Sequence, residues 1–378
     1  MKIVRMDVLP VSIPHKTKYQ LSLGSTEISR NVIIKLYTDA GIIGLGEAST
    51  GTLPDRTGET QEGIVHLLTS YFGPRLMGKD PFAIEAILHD LDRVSFGKHA
   101  GLYSKCAVDF ACHDIMGKAC GVPVYQLLGG MVRSEIGVSR SLPVGKPPNE
   151  FAKDVVSRRD EGYKMLTVKG TADVAYDIAC FKAAREALGP GFPLEIDPNQ
   201  AWTSANAIRT VRRLEAYDLA GAEQPLPWWD YDGMIALTAA VDTPIMADET
   251  VLSTSEAYQV AHRSMANLIT LKLPKNGGLF LAKQIAAIAE AAGLECNMGS
   301  RHPLGVGTAA LHHFACSTTA VTDTIGYGSP LERLVDDVIT EAIPFERGVA
   351  RPPSGPGLGV ELDEKKMQKY AVKITVDA

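Results

Sequence analysis

A regular recurrence of short apolar runs, most of which end on a charged residue, constrains the fold of this chain more than any other feature. The ends of these runs are separated by 28, 26, 25, 24 and 26 residues. They are Lys169, Asp197, Glu223, Asp248, Lys272 and Met298. Each interval has room for one strand, two short loops and one helix. The recurrence predicts βα units from about residue 133 to 345 and favours a closed parallel barrel. A doubly wound sheet is the lesser alternative, because no GxGxxG motif follows the first strand.

The residues before and after this region have a different pattern. From residue 1 to about 125, strand-like stretches such as "IVRMDVLPVSI" precede helical ones such as "FAIEAILHDLDRV", an order that is typical of an α+β unit. The last segment contains "RPPSGPGLG" before a polar helix or extended tail. We expect this segment to leave the barrel and to pack back on the N-terminal unit.

Charge limits the partners of the chain. Its 378 residues are 45% hydrophobic and 22% charged, with a formal net charge of -6. A chain of this length builds a sizeable core. It lacks the basic field that nucleic acid or an anionic membrane surface requires, so we expect a small-molecule ligand.

The N-terminus and the cysteines favour a cytoplasmic protein. The opening "MKIVRMDVLPVSIP" has no continuous apolar stretch of the kind found in secretory signals, and no window is apolar over the length needed to span a bilayer. The six cysteines contain no CxxC pair. We therefore expect buried reduced thiols rather than disulfides or a zinc site. We also expect a homo-oligomer.

Three carboxylates follow successive predicted strands. In a parallel barrel the carboxyl ends of all strands face one mouth, so Asp197, Glu223 and Asp248 are predicted to lie around one point. Three anions so close would raise each other's pKa unless a cation compensated them. Oxygen ligands suit a hard ion such as Mg²⁺, with Mn²⁺ as an alternative. Taken singly, each acid could instead cap the following helix.

Two lysines are predicted on either side of these acids. Two-residue alternation places Lys169 and Lys272 among the inward-facing residues of their strands. We expect the two ammonium groups to stand opposite each other across the metal. A desolvated lysine near a divalent cation has a lowered pKa and can act as a base near neutral pH.

Four motifs resemble those of a known family. "IDPNQAW", "AEQPLP", "PIMADET" and "LKLPKNGG" are similar to the successive strand-end motifs of the muconate-lactonizing subgroup of the enolase superfamily, the mandelate racemase/muconate lactonizing enzyme family. The resemblance covers nearly the whole chain. It implies a modified TIM barrel of the (β/α)7β type over residues 126–345, with an α+β capping domain over 1–125 that residues 346–378 complete.

The same resemblance implies a site and a chemistry. Asp197, Glu223 and Asp248 would bind one Mg²⁺, and Lys169 and Lys272 would be acid/base catalysts on opposite faces of a carboxylate substrate. Abstraction of its α-proton would give an ene-diolate, as is general for this superfamily. The implied outcome is an isomerase: a racemase, an epimerase or a cycloisomerase.

The sequence departs from the subgroup at two places. The usual Lys-x-Lys at the end of the second barrel strand is Thr167-Val168-Lys169, so the outer lysine remains and the inner one is missing. After the seventh strand, where relatives often have an acid, the chain has "GSRHPLG". Arg301 or His302 could contact a polar or anionic group of the substrate, His302 could act as a further acid, or both could lie in solvent.

Other side chains are weaker candidates. We expect Asn199 and Thr167 to support the site, and Glu249 to orient Lys272 or to cap the next helix. Trp228 could contact a cationic substrate group or simply pack. The polar segments 15–31, which includes Tyr19, and 49–58 resemble the family's two specificity loops and fit a lid. His312 and His313 are expected to be structural.

Three alternatives to an isomerase stay open at this level. A lyase could eliminate water or ammonia from a β-substituted acid through the same intermediate. A barrel that has lost its inner lysine could bind a carboxylate without turnover. A glycosidase is remote, because it would need a dedicated pair of carboxylates and would give the lysines no role.

Overall fold

The computed structural model describes residues 1–21, 24–50, 57–95, 97 and 99–375. Within these ranges an antiparallel sheet at the N-terminus is followed by helices, a closed parallel barrel and a C-terminal segment. The site candidates lie where the barrel strands end.

The N-terminal sheet is antiparallel, with the strand order β1-β2-β3. Its strands are β1 (Ile3–Leu21), β2 (Gly24–Thr38) and β3 (Ile43–Ser49). Val11 and Ile13 of β1 are fully buried, as the two-residue period of a strand with one face on a core requires. The helices that follow are α1 (Gln61–His66), which a π-helical turn (Leu67–Phe72) continues, α2 (Gly73–Leu76), α3 (Ile84–Val94), α4 (Leu102–Cys120) and α5 (Val124–Leu127).

The polar segment 15–31 differs from the expected flexible loop. Most of it belongs to β1 and β2, which pair as far as Pro14↔Ile28 and again from Tyr19↔Thr26 to Leu21↔Gly24. A hairpin satisfies its backbone hydrogen bonds in the ladder whatever the polarity of its side chains, so composition alone does not separate it from a loop. His15 also forms a bridge with Leu334. Of the second expected lid segment, residues 51–56 lie outside the described residues.

Eight parallel strands form the barrel between residues 136 and 325, all of which the structure describes. They are β4 (Ile136–Leu142), β5 (Met165–Lys169), β6 (Leu194–Asp197), β7 (Gly221–Glu223), β8 (Ile245–Ala247), β9 (Leu268–Leu271), β10 (Glu295–Met298) and β11 (Val321–Ile325). Each strand pairs with its neighbour in sequence, and β11 pairs with β4 to close the barrel.

Seven helices join these eight strands. They are α6 (Pro148–Asp160), α7 (Val174–Leu188), α8 (Ser204–Glu215), α9 (Tyr231–Ala240), α10 (Thr254–His262), α11 (Leu279–Ala291) and α12 (Gly305–Cys316). The predicted (β/α)7β barrel and the N-terminal cap are therefore confirmed.

Helix α8 illustrates why the intervals between strands form helices. Its buried residues are Ala207, Thr210, Val211 and Leu214, a spacing of three and four that forms one apolar stripe on a helix. The polar residues between them face outward. The same periodicity lets each barrel helix cover the two strands that it connects.

The C-terminal segment returns to the N-terminal sheet. After β11 the chain forms a 3₁₀ turn (Pro330–Glu332), β12 (Phe345–Glu346), β13 (Val349–Ala350) and α13 (Glu364–Tyr370). Strand β13 pairs antiparallel with β4, and Ala371 forms a bridge with Val11 of β1. The final segment thus packs on the cap as expected, whereas the domain limits at residues 125 and 346 stay a prediction.

Two further expectations concern buried polar groups. All six cysteines are unbridged, and of these only Cys120 is exposed. His312 and His313 are fully buried in α12, and their ring nitrogens contact backbone carbonyl groups. Buried thiols are therefore confirmed for the other five cysteines, and the structural interpretation of both histidines is confirmed. Among the helices in the described ranges, none has the length and apolarity required to cross a membrane.

Candidate active site

The five residues that the recurrence singled out lie together at one mouth of the barrel. Lys169, Asp197 and Glu223 are the last residues of β5, β6 and β7. Asp248 and Lys272 directly follow β8 and β9. Because β5 and β9 flank the three acidic strands in the sheet, the two lysines approach the acids from opposite ends.

Strand register brings each lysine onto an acid. Lys169 and Asp197 are direct partners across the β5–β6 ladder, and the Lys169 ammonium donates to Asp197 Oδ2. The Lys272 ammonium donates to Asp248 Oδ2, and its Nζ lies 3.7 Å from Glu223 Oε1. The acids and lysines are nearly or fully buried, so their charges interact in a low-dielectric surrounding.

The three acids lie at the ends of neighbouring strands. Among the described residues, no three His, Cys, Asp or Glu side chains are arranged to coordinate an ion. The ammonium groups of the two lysines contact the carboxylate oxygens instead, because buried anions require nearby positive charge. Asp197, Glu223 and Asp248 thus meet at neighbouring strand ends, and their joint coordination of one ion stays a prediction.

The acids differ in their electrostatic surroundings. Burial and the neighbouring charge of Asp197 raise the pKa of Glu223 to about 7. Burial and the charge of Asp248 raise the pKa of Glu249 to about 8. Burial alone would raise the pKa of Asp248, but the ammonium groups of Lys272 and Lys275 hold it below its usual range. The site therefore has more carboxyl groups than its lysines neutralise.

This chemistry fits a divalent cation. Glu223 Oε1 is buried and makes no hydrogen bond to the described residues, which leaves a buried acceptor to be satisfied. The available donors at the strand ends are carboxylate oxygens, the ligands that hard divalent ions prefer. Asp197, Glu223 and Asp248 are therefore the residues that could hold such an ion.

The neighbouring anions dominate the pKa of Lys272. Burial would lower it, but the negative charges of Asp248, Glu223 and Glu249 outweigh burial and raise the pKa of Lys272 above its usual value. The expectation of a lowered pKa for Lys272 assumes a divalent cation beside it, so it stays a prediction.

Lys275 is a third buried lysine that sequence reasoning missed. Its Nζ donates to the backbone carbonyl groups of Asp248 at 2.7 Å, Val251 at 2.8 Å and Thr270 at 3.0 Å, and it lies 3.1 Å from Asp248 Oδ1. It fastens the end of β8 to the end of β9. The available signal was the second lysine of "LKLPKNGG", three residues after Lys272.

Glu195 was also missed. It lies two residues before Asp197, so alternation places both side chains on the inner face of β6. It is directly opposite Thr167 in the β5–β6 ladder, and the Thr167 hydroxyl is close enough to lower its pKa. Burial and the charge of Glu223 raise the pKa of Glu195 to about 8. Thr167, where the subgroup has its inner lysine, therefore contacts an acid inside the barrel.

Asn199 and Glu249 both lie beside the acids. The Asn199 backbone N–H donates to Asp197 Oδ1 at 2.9 Å and its side-chain amide donates to Asp197 Oδ2 at 3.1 Å. Asn199 has a positive φ of 46°, a conformation that asparagine tolerates better than most residues. Glu249 does not cap α10, because Ser253 and Glu256 form a capping box there.

Arg301 and His302 are half-buried rather than solvated. Arg301 is close enough to Lys272 and Asp248 to influence the pKa of both. His302 packs edge-on against His15, with ring centroids 6.2 Å apart, and lies 6.0 Å from the Tyr327 ring. Burial and the charge of Arg333 lower the pKa of His302 well below its usual value. The solvated alternative is therefore wrong for both residues, and His302 is neutral at pH 7.

The remaining candidates are less informative. Trp228 is half-buried, and its backbone N–H donates to Gln200 Oε1 at 3.0 Å. Its backbone carbonyl accepts a hydrogen bond from the Thr250 hydroxyl at 3.2 Å. The Tyr19 side chain lies outside the described part of the structure.

Comparison with known proteins agrees with this architecture. The model of the mandelate racemase/muconate lactonizing enzyme N-terminal domain matches residues 3–129, and the model described as enolase C-terminal domain-like matches residues 150–366. The chain is 34% identical over 363 residues to the L-Ala-D/L-Glu epimerase of Bacillus subtilis, with 95% of this chain and 97% of that protein covered.

Solved structures extend the comparison. The N-succinyl Arg/Lys racemase from Bacillus cereus has a TM-score of 0.92 at 33% identity, covering 99% of both chains. A dipeptide epimerase from Enterococcus faecalis, complexed with Mg and the dipeptide L-Leu-L-Tyr, has a TM-score of 0.89 at 32% identity, covering 95% of this chain and 99% of that one. These relatives are isomerases, the class that the sequence predicted. The chain therefore belongs to the mandelate racemase/muconate lactonizing enzyme family of the enolase superfamily, whose members are metal-dependent enzymes.

Proposed function

We propose that this protein is a Mg²⁺-dependent isomerase that removes the α-proton of a small carboxylate substrate and returns a proton to the same carbon. The observation that carries this proposal is the placement of Lys169 and Lys272 at opposite ends of a row of three buried acids. Two opposed amines give a carbon held between them access to proton exchange on both faces.

Asp197, Glu223 and Asp248 would hold the Mg²⁺. Their oxygen-only chemistry and the unsatisfied Oε1 of Glu223 support this assignment, as does the Mg named with the Enterococcus faecalis relative. When bound, the ion would neutralise charge that develops on the substrate carboxylate as the α-proton leaves. Asn199 would keep Asp197 oriented through its two hydrogen bonds.

The lysines would move the proton. One Nζ, as a neutral amine, takes the α-proton from one face of the substrate, and the other Nζ, as an ammonium, delivers its proton to the opposite face, which inverts the configuration. A divalent ion held by Asp248 and Glu223 would offset the negative charge that raises the pKa of Lys272. Lys275 takes no part in this transfer, because three backbone carbonyl groups engage its ammonium. Lys275 fixes the positions of Asp248 and of Thr270 in β9, the strand that ends just before Lys272. The distance between Asp248 and Lys272 is thereby maintained.

Arg301 and His302 are the proposed substrate contacts. Arg301 lies within electrostatic reach of Lys272 and Asp248, which suits a guanidinium that binds a polar or anionic group of the substrate. The names of the relatives include an N-succinyl amino acid and a dipeptide. We therefore propose an amino acid derivative with a free α-carboxylate as the substrate class.

Solvent deuterium exchange tests this function. The protein is incubated in D₂O with amino acids, N-acyl amino acids, dipeptides, hydroxyproline derivatives, sugar acids and muconates, with and without Mg²⁺, and deuterium at the α-carbon is measured by NMR. We expect Mg²⁺-dependent exchange with at least one class. Lys164→Met, which changes an exposed lysine near β5, serves as the control and should retain exchange.

The same assay separates the alternatives. Exchange together with release of water or ammonia would identify a lyase instead. Folded protein that exchanges none of these acids would contradict turnover and favour a binding protein.

A further inference from the structure

Helix α12 has no N-terminal cap of its own. Its N-cap residue is Leu304, whose side chain makes no capping hydrogen bond. Carboxylates from distant parts of the chain accept the free N–H groups instead. Glu47 Oε1 accepts from the Leu304 N–H at 2.6 Å, Glu47 Oε2 accepts from the Gly307 N–H at 2.7 Å, and Asp337 Oδ1 accepts from the Gly305 N–H at 2.9 Å.

Glu47 reaches this helix from the N-terminal capping domain. It lies in the middle of β3 and is 1% exposed, and both of its oxygens are used at the start of α12. Burial raises the pKa of Glu47 to about 8, but its two hydrogen bonds from backbone N–H groups favour the ionised form. Such bonds to a carboxylate are stronger than neutral ones, and the start of a helix also favours a negative charge. Glu47 therefore joins the sheet of the N-terminal capping domain to the first turn of a barrel helix.

The first turn of α12 directly follows the proposed substrate contacts. Only Pro303 separates His302 from Leu304, and a proline has a nearly fixed φ. A Cβ added at Gly307 would lie 2.7 Å from Pro303 Cβ and 3.1 Å from Glu47 Oε2. The carboxylate, the proline and the helix turn are therefore packed without spare volume, so that a shift of Leu304 would move His302 and Arg301.

We propose that Glu47 is a positioning residue that fixes the segment carrying Arg301 and His302 over the barrel mouth. This inference rests on the proposed function, in which that segment contacts the substrate. The N-terminal capping domain would then influence substrate binding in two ways: through its own side chains, and through the barrel segment that carries Arg301 and His302. Glu47 itself does not touch the reacting atoms.

The position of His302 provides a readout that does not depend on turnover. The imidazole ¹H–¹³C signals are recorded in histidine-labelled protein, and the His302 signal is assigned with His302→Gln. In Glu47→Gln we expect this signal to move, because the His302 ring lies against the rings of His15 and Tyr327. Apparent KM should rise about tenfold, the size of one lost charge-assisted hydrogen bond, with a smaller change in kcat.

Arg133→Met is the matched control. The Arg133 guanidinium donates to the carbonyl group of Ala315 at the C-terminal end of the same helix, and to those of Thr318 and Val321 in the segment that follows it. Arg133→Met should destabilise α12, while the His302 signal and the apparent KM should stay unchanged. Gly307→Ala provides a second perturbation of the Glu47 contact and should reproduce both effects of Glu47→Gln.

The outcomes separate this inference from the proposed function. An unmoved His302 signal in folded Glu47→Gln and Gly307→Ala overturns the inference, even in an active enzyme. A moved signal with an unchanged apparent KM in both variants also overturns it, because the segment then has no effect on the substrate. A moved signal in a protein that turns over no substrate supports the positioning by Glu47 and counts against the proposed function.

Discussion

The pH dependence of stability offers a quantitative check on the buried polar groups that hold the barrel together. His313 is fully buried in α12, and its Nε2 lies 3.1 Å from the carbonyl oxygen of Leu358. Its Nδ1 is buried without a hydrogen-bond partner among the described residues. Burial lowers the pKa of His313 to about 4, from an ordinary value of 6.5. The folded state therefore holds a neutral imidazole that the unfolded state protonates in mild acid.

The sign and size of the effect follow from these two values. Because the pKa is lower in the folded state, protonation below pH 6.5 stabilises the unfolded state first. The free energy of unfolding therefore has its full value above pH 6.5 and falls as the pH is lowered towards 4. Between pH 8 and pH 5 the free energy of unfolding should fall by about 2 kcal/mol through this residue alone, since one pKa unit corresponds to about 1.4 kcal/mol.

The assay is urea unfolding of the wild type and of His313→Gln at pH 8 and pH 5. The glutamine amide can still donate to Leu358 but does not titrate. We expect the wild type to lose about 2 kcal/mol more than the variant over this interval. Equal losses in the two proteins, or a larger loss in the variant, would refute the assignment of a buried neutral imidazole.

Two other predictions concern the site. Adding Mg²⁺ at about one hundred times its Kd should raise the free energy of unfolding by about 2.7 kcal/mol; thermal unfolding measures this, and Asp248→Asn should abolish the increase. A wild type that Mg²⁺ does not stabilise would contradict the proposed ion site. Lys275→Met should lower the free energy of unfolding by about 3 kcal/mol or more, because it leaves Asp248 and three carbonyl groups without their shared cation. Lys283→Met, at a half-buried lysine that contacts Ser317 and Thr318, should cost less in the same urea titration, and an equal cost would contradict the role given to Lys275.

The barrel was predictable because its spacing is set locally. A strand, a helix and two loops occupy a nearly constant length of chain, and a parallel barrel brings every strand end to one mouth. Two-residue alternation then places Lys169 and Asp197 inside. The same rule applied two residues earlier would also have found Glu195.

Other features depend on contacts that local pattern does not encode. Glu47 lies 257 residues from Leu304 in sequence, so nothing near α12 indicates which group caps it. The polar composition of residues 15–31 suggested a loop, although most of this segment lies in β1 and β2. Backbone hydrogen bonds stabilise such a strand pair, and side-chain composition does not reveal them. The raised pKa of Lys272 reflects the balance between burial and three neighbouring anions, which requires coordinates.

The central claim is that two opposed lysines exchange the α-proton from opposite faces of one substrate. The most direct test follows α-deuterium incorporation into each pure enantiomer of a substrate by the wild type, Lys169→Met and Lys272→Met in the presence of Mg²⁺. The account predicts that the wild type exchanges both enantiomers, and that each variant retains exchange with one enantiomer and loses it with the other, in reciprocal fashion. Variants that both retain exchange with the same enantiomer, or that both leave exchange unchanged, would contradict it.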